Sequence, residues 1–223
     1  MNYRFHQKVA KHSPVLPSPG SLNFDNYSVW RLDDGLIGHS NQALGLLGGL
    51  GIEHHRTVHL KAPAWGANLL KRINRSWRWK LPEGPYPDLI VGAGKASSLI
   101  LPNIKKRCPA VFTVQIMSPM RSPWHYDVVI PGSHTDPVEG PNVLATTTSL
   151  HRCTPETLSM HAAEWAPKVA HLPRPHTTVL LGGMMKGFPL ASQWDWKLIG
   201  DLCVWGQQRG GSLLITTSRR TPE

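Results

Sequence analysis

A chain of 223 residues, 40% hydrophobic and 17% charged, is long enough for one well-buried domain and part of a second, and too apolar to be disordered. No stretch approaches the ~20 consecutive apolar residues of a membrane helix; the longest, around residues 43–52 and 89–101, are broken by Gly or by Lys95. The formal charge of +10 leaves two readings open, a surface that attracts anions and one that merely keeps the chain soluble, because the Lys and Arg form no long run.

Residues 1–26 are polar and punctuated by Pro14, Pro17 and Pro19. They lack the apolar segment of a secretory signal and read as a flexible leader; a mitochondrial-type presequence, on the strength of Arg4, Lys8 and Lys11, is the alternative. Tyr27–Leu32, aromatic and β-branched, predicts a strand closed by the turn Asp33-Asp34-Gly35. Ser40 is expected to cap the next helix, whose apolar face is Ala43, Leu44, Leu46, Leu47 and Leu50 and whose end is Gly51. Thr57–Leu60 predicts a second strand. Trp65–Lys80 is basic and Trp-containing, and Trp77 and Trp79 flank Arg78. Asp88–Val91 predicts a buried strand running into Gly92-Ala93-Gly94, then a helix over Ala96–Arg107, and further strands over Ala110–Ile116 and Tyr126–Ile130.

Thr154-Pro155-Glu156 is a helix start with Pro in the first turn, and predicts a helix to Val169. Pro173 and Pro175 mark a linker. Thr177–Leu181, Trp194–Gln208 and Ser212–Thr217 then predict a β-α-β unit. Strands alternating with helices at this spacing point to an α/β fold with a parallel, doubly wound sheet. The divisions expected are a leader at 1–26, a first domain at 27–153, a connecting helix and linker at 154–176, and an incomplete second domain at 177–223. A lone β-α-β unit leaves apolar faces uncovered, so more sequence, or packing on another surface, is expected. Cys108, Cys153 and Cys203 are far apart and form no C-x-x-C pair, which argues against a disulfide framework or a zinc site and fits a reducing, cytoplasmic setting.

Open α/β sheets bind ligands at the carboxyl ends of their strands, beside helix N-termini. Three Gly-containing loops meet that description. In residues 33–42, Gly35 and Gly38 allow a tight turn, and His39, Asn41 and Gln42 carry groups that hydrogen-bond hydroxyls or phosphate oxygens; Asp34 belongs to the same loop. In residues 91–98, Gly92 and Gly94 permit close packing of strand on helix, and Lys95 or Ser97 stands where an anion would meet the helix start. In the third, Gly182 and Gly183 offer backbone N–H groups to a diphosphate, and Ser218, Arg219 and Arg220 follow the last strand, where guanidinium groups grip phosphate. Each loop also has a plainer reading as a turn, a packing contact or a solvated basic end. None is a dinucleotide fingerprint or a Walker loop. No catalytic carboxylate pair, Ser-His-Asp order or metal-ligand spacing stands out.

Several segments in order resemble one family: Asp34-Gly35, Gly38-His39, Gln42 and Gly45-Leu46; Pro87–Gly94; Val114-Gln115-Ile116; Tyr126–Pro131; Gly140–Leu144; Leu181-Gly182-Gly183; and Thr217–Pro222. The chain is similar, from about Tyr27 to Glu223, to the elongated-mitochondria fission factor family. That family looks related to glycosyltransferases of the GT-B type, with two Rossmann-like domains and a cleft between them. Its plant members associate with the mitochondrial outer membrane and recruit a dynamin-related fission protein. Three departures are visible. Members usually continue well past the Ser-Arg-Arg-Thr-Pro segment, so the remainder of the second domain is expected beyond Glu223 or on another chain. Ser133-His134-Thr135 lacks the usual acidic residue, and Met117-Ser118-Pro119-Met120 replaces an Asp-Pro pattern.

The resemblance implies a glycosyltransferase-like protein that binds a nucleotide-sugar or another phosphorylated glycan precursor in the interdomain cleft, without a metal or cofactor. Gly182, Gly183, Arg219 and Arg220 would hold diphosphate, Gly38, His39 and Gln42 would face the acceptor, and His39 would be the general base. The competing expectation is a non-enzymatic adaptor for a membrane-remodelling protein, peripheral at a membrane surface. Nucleic acid is a poorer partner, because no aromatic-basic recognition module is visible.

Overall fold

The structure, a computed structural model, describes residues 23–60, 83–133, 137–182 and 196–218. The expected leader up to residue 22, the Trp-rich basic segment around Trp77-Arg78-Trp79, and the His134-Thr135 departure lie outside the described residues. The chain divides between Cys153 and Thr154 into two compact units.

The first unit is built of β1 (Val29–Asp33), α1 (Ile37–Gly49), β2 (Arg56–His59), β3 (Leu89–Ala93), α2 (Gly94–Arg107), β4 (Phe112–Ile116) and β5 (Val128–Ile130). The strands form a five-stranded sheet in the order β2-β1-β3-β4-β5, parallel throughout. Every residue of β3 is buried, as expected of a parallel strand covered on both faces. Alternate residues of the strands serve two cores. Val29, Leu89, Val91 and Ala93 pack with Ala43 and Leu47 of α1. Trp30, Leu32, Ile90 and Val129 pack with Ile100, Leu101 and Ile104 of α2. This is the doubly wound, Rossmann-like α/β arrangement expected from the sequence.

The helix ends differ in how the sequence declares them. α1 stops where Gly51 predicts: at φ +71°, its N–H donates to the Gly48 carbonyl at 3.0 Å and the N–H of Ile52 to that of Leu47 at 2.9 Å, a left-handed glycine cap. Its start lies earlier than the Ser40 cap expected. The helix begins at Ile37 with Leu36, which has no side-chain acceptor, in the capping position; Ser40 lies inside the helix, its hydroxyl accepting from a buried arginine of β1 described below. α2 likewise starts two residues before Ala96, running straight out of β3 through Gly94 at φ +82°. After β5, residues 142–146 lie beside that strand, with parallel bridges Val129↔Val143 and Gly132↔Thr146. Asn142 Nδ2 pins them by donating to the carbonyls of Pro123 and Tyr126, both at 2.8 Å.

The second unit contains α3 (Pro155–Val169), β6 (His176–Leu180), α4 (Trp196–Gln208) and β7 (Ser212–Thr216). Thr154 caps α3 reciprocally with Thr157: the Thr157 N–H donates to Thr154 Oγ1 at 3.2 Å and the Thr154 N–H to Thr157 Oγ1 at 2.9 Å, with Pro155 at the first helical position. β6 and β7 pair in parallel from His176↔Ser212 to Leu180↔Thr216, the β-α-β unit expected. Among the described residues no helix is long and apolar enough to cross a membrane.

One ion pair ties α2 to β4 and to the segment entering β5. Lys105 Nζ donates to both carboxylate oxygens of Asp127 at 2.8 Å, and the Thr113 N–H and hydroxyl both donate to Asp127 Oδ2 at 2.8 Å. Burial alone would raise the Asp127 pKa, but the Lys105 ammonium and the Thr113 donors overcome it and hold the carboxyl below its ordinary value. A carboxyl depressed in the folded state contributes stability that is present above its unfolded pKa, about 3.9, and is lost as pH falls toward the folded value. Urea unfolding should therefore show Asp127→Asn less stable than the wild type at neutral pH, with the difference shrinking as pH is taken below about 4.

Candidate functional site

The sheet order reverses between β1 and β3, the position at which open α/β sheets receive ligands. Two chain crossings meet there. At the end of β1 the Gly35 N–H donates to Asp33 Oδ1 at 2.9 Å and the Leu36 N–H to Asp34 Oδ1 at 3.1 Å. These are successive turns closed by carboxylates, with Gly35 supplying the left-handed φ of +80°. They deliver the chain into α1 with His39 in its first turn. His39 Nδ1 then lies 2.8 Å from Asp34 Oδ2; the two side chains are 21% and 10% exposed.

The other crossing is the junction of β3 and α2. A Cβ placed on Gly94 would stand 2.3 Å from Cε1 and 2.4 Å from Nδ1 of His39, so the imidazole occupies the space a side chain would need. His39 is thus held by a carboxylate on one ring nitrogen and by the Gly94 backbone against its ring. A carboxylate acceptor at Nδ1 selects the tautomer with the proton there and leaves Nε2 with its lone pair, the arrangement of an oriented general base.

Behind this pair sits Arg31, 7% exposed. Its guanidinium donates to Ser40 Oγ at 2.7 Å and to Thr57 Oγ1 at 3.1 Å and lies 3.3 Å from Asp33 Oδ2, joining β1 to α1 and β2. Its Nε is buried with no partner among the described residues. His59 Nδ1, 3.8 Å from Asp33 Oδ2, stands on the solvent side. Burial, reinforced by the charge of Arg31, lowers the pKa of the nearby His55 against a backbone hydrogen bond at Glu53 that raises it.

The loop residues singled out from the sequence fall into three groups. Asp34, Gly35, Gly38, His39 and Gln42 lie together at the end of β1 and the start of α1, with Gly94 against them; Gly38 is exposed and Gln42 half-buried. Gly92 and Ser97 are buried. A Cβ on Gly92 would come 2.4 Å from Ser97 Cβ, and the Ser97 hydroxyl points inward, donating to Gln115 Oε1 at 2.9 Å, so both residues serve the packing of β3 on α2. Gly182 and Ser218 follow β6 and β7 at the same edge of that strand pair and are exposed. Gly183, Arg219 and Arg220 lie outside the described residues. Sequence reasoning took Asp33 and Asp34 as turn residues and missed that Asp34 also orients His39. It passed over Arg31, whose signal was a lone cation between the apolar Trp30 and Leu32 of β1.

Gly94→Ala combines a left-handed backbone with a Cβ 2.3 Å from the His39 ring. The left-handed conformation alone should cost about 1–2 kcal/mol for an L-residue, and displacement of His39 adds to it. Gly38→Ala, in the same helix turn as His39 with nothing within 4 Å of its added Cβ, should be neutral or stabilising by up to about 1 kcal/mol. Urea midpoints of the two variants measured side by side test the difference.

No curated protein matches the chain. The family model described as Mitochondrial fission ELM1 matches residues 37–223, a span that opens at the first residue of α1, includes His39, Gly92 and Gly94, and runs on through the second unit. The same ordered segments that carry the resemblance in the sequence fall within it from Gly38 onward, and the chain belongs to the mitochondrial fission ELM1 family.

Proposed function

We propose that the protein is a glycosyltransferase-like member of this family that binds a nucleotide-sugar or related phosphorylated sugar, and that His39 accepts the proton of the attacking hydroxyl. The observation that carries this reading is the Asp34–His39 pair, 2.8 Å apart, set on Gly94 at the sheet's switch point. In the reaction the hydroxyl oxygen bonds to the anomeric carbon, the bond from that carbon to the departing phosphate oxygen breaks with its electron pair, and the hydroxyl proton passes to Nε2 of His39. Asp34 stabilises the imidazolium that results. The loop after β1 favours a hydroxyl over a phosphate, because the Gly35 and Leu36 N–H groups already bond the Asp33 and Asp34 carboxylates.

A second reading, a non-enzymatic adaptor that docks a membrane-remodelling protein, is favoured by α3. None of its residues is buried, and Leu158, Met160 and Trp165 are exposed. On that reading Trp165→Ala abolishes capture of a membrane-remodelling GTPase and His39→Ala leaves it intact.

Thermal unfolding with nucleoside diphosphates, nucleotide-sugars and simple sugars tests the enzymatic reading. A ligand at one hundred times its dissociation constant adds about 2.7 kcal/mol of stability. A nucleotide-sugar that raises the transition and is turned over by the wild type but not by His39→Ala is the expected result. Turnover unchanged in His39→Ala would remove His39 from the chemistry, and a transition that no nucleotide or sugar moves would contradict the binding reading.

A further inference from the structure

A polar group beside the His39 site that the proposed chemistry leaves unused is Gln115, in β4 and fully buried. All of its hydrogen-bonding groups are engaged. Its Nε2 donates to the Gly94 carbonyl at 3.0 Å and to the Ile116 carbonyl at 2.6 Å. Its Oε1 accepts from Ser97 Oγ at 2.9 Å, and that hydroxyl also lies 3.0 Å from the Gly94 carbonyl. Gln115 thus bridges the ends of two adjacent strands at the two places where the backbone turns left-handed: Gly94 at φ +82°, directly after β3, and Met117 at φ +72°, directly after β4.

Gly94 is also the residue against which the His39 ring rests. A buried carbonyl that accepts from Gln115 Nε2, itself held at Oε1 by the Ser97 hydroxyl, cannot rotate its peptide without leaving that donor unpaired in an apolar interior. The surface presented to His39 is therefore fixed from inside the sheet. We infer that Gln115, assisted by Ser97, is a positioning residue for His39 and acts through the Gly94 peptide. The buried pair sets the surface on which the imidazole rests while Asp34 sets Nδ1, so the direction of Nε2 is determined from two sides. The functional meaning rests on the proposed role of His39, but the geometry is readable in the ligand-free protein, so its failure is distinguishable from failure of that role.

The test is solution NMR on the full chain. The readouts are the nuclear Overhauser contact between His39 Hε1 and the Gly94 Hα protons, and the His39 ring nitrogen shifts, in the wild type, Gln115→Met, Ser97→Ala and Ile104→Ala. Ile104 is buried on the same helix as Ser97 but outside the Gln115 contacts, so its variant measures what general loosening does. Loss of the His39–Gly94 contact together with displaced ring shifts is expected in Gln115→Met and Ser97→Ala, and neither in Ile104→Ala. Should Gln115→Met not fold, Ser97→Ala decides the matter. Folded variants that keep the contact and the ring shifts would overturn the inference, and so would Ile104→Ala if it moved His39 as far as they do.

Discussion

The approach of α2 to β3 is closer than side chains on both would permit, and the arrangement around the switch point follows from it. Gly92 lies where a methyl group would overlap Ser97, and Gly94 where one would overlap His39. Because these two positions carry no side chain, the helix can start on the last residue of the strand, its first turn can bury Ser97, and the imidazole from the neighbouring crossing can lie on bare backbone. A larger residue at either place would force the helix away from the sheet, which in a close-packed interior means either strain or a void. The small residues of this loop therefore make room for His39 at the carboxyl end of the sheet, between β1 and β3.

Polar groups are placed with the same economy of space. On the α1 side of the sheet, Arg31 stands among apolar neighbours yet bonds Ser40 and Thr57 and lies beside Asp33, so one buried cation secures a helix, the strand that carries it and the edge strand. On the other side Asp127 plays the corresponding part, gathering Lys105 and Thr113. The two carboxylates that end β1 neutralise the loop amides that would otherwise attract an anion. The end of β1 therefore presents an imidazole and its carboxylate, with the Gly35 and Leu36 amides already bonded to Asp33 and Asp34.

Much of this was legible in the residues. The strands over β1, β3 and β7 announce themselves by apolar runs closed by turn residues, α1 by its apolar face and the Gly51 stop, and α3 by Thr154-Pro155. Local chemistry determines those features. What escaped depends on contacts distant in sequence. Ser40 has the chemistry of a helix cap, but Arg31 claims its hydroxyl. Ser97 has the chemistry of an anion ligand, but Gln115, eighteen positions away in the chain, draws it inward. Residues 142–146 carry no strand pattern and are held beside β5 by Asn142. At the site itself, His39 stood out as the imidazole of a strand-end loop. Its pairing with Asp34, five positions earlier, depends on the pitch of the helix start, which spacing alone did not fix.

The most direct measurement is the tautomer of His39 in the free protein, from long-range proton–nitrogen NMR at a pH where the ring is neutral, with the signals assigned through a His39→Gln variant. Neutral imidazole in water favours the proton on Nε2. A carboxylate bonded to Nδ1 reverses that preference, so the expected spectrum has a protonated Nδ1 and an unprotonated Nε2, reverting toward the ordinary tautomer in Asp34→Ala. A wild-type His39 with its proton on Nε2, unaffected by loss of Asp34, would contradict the oriented base on which the functional reading rests.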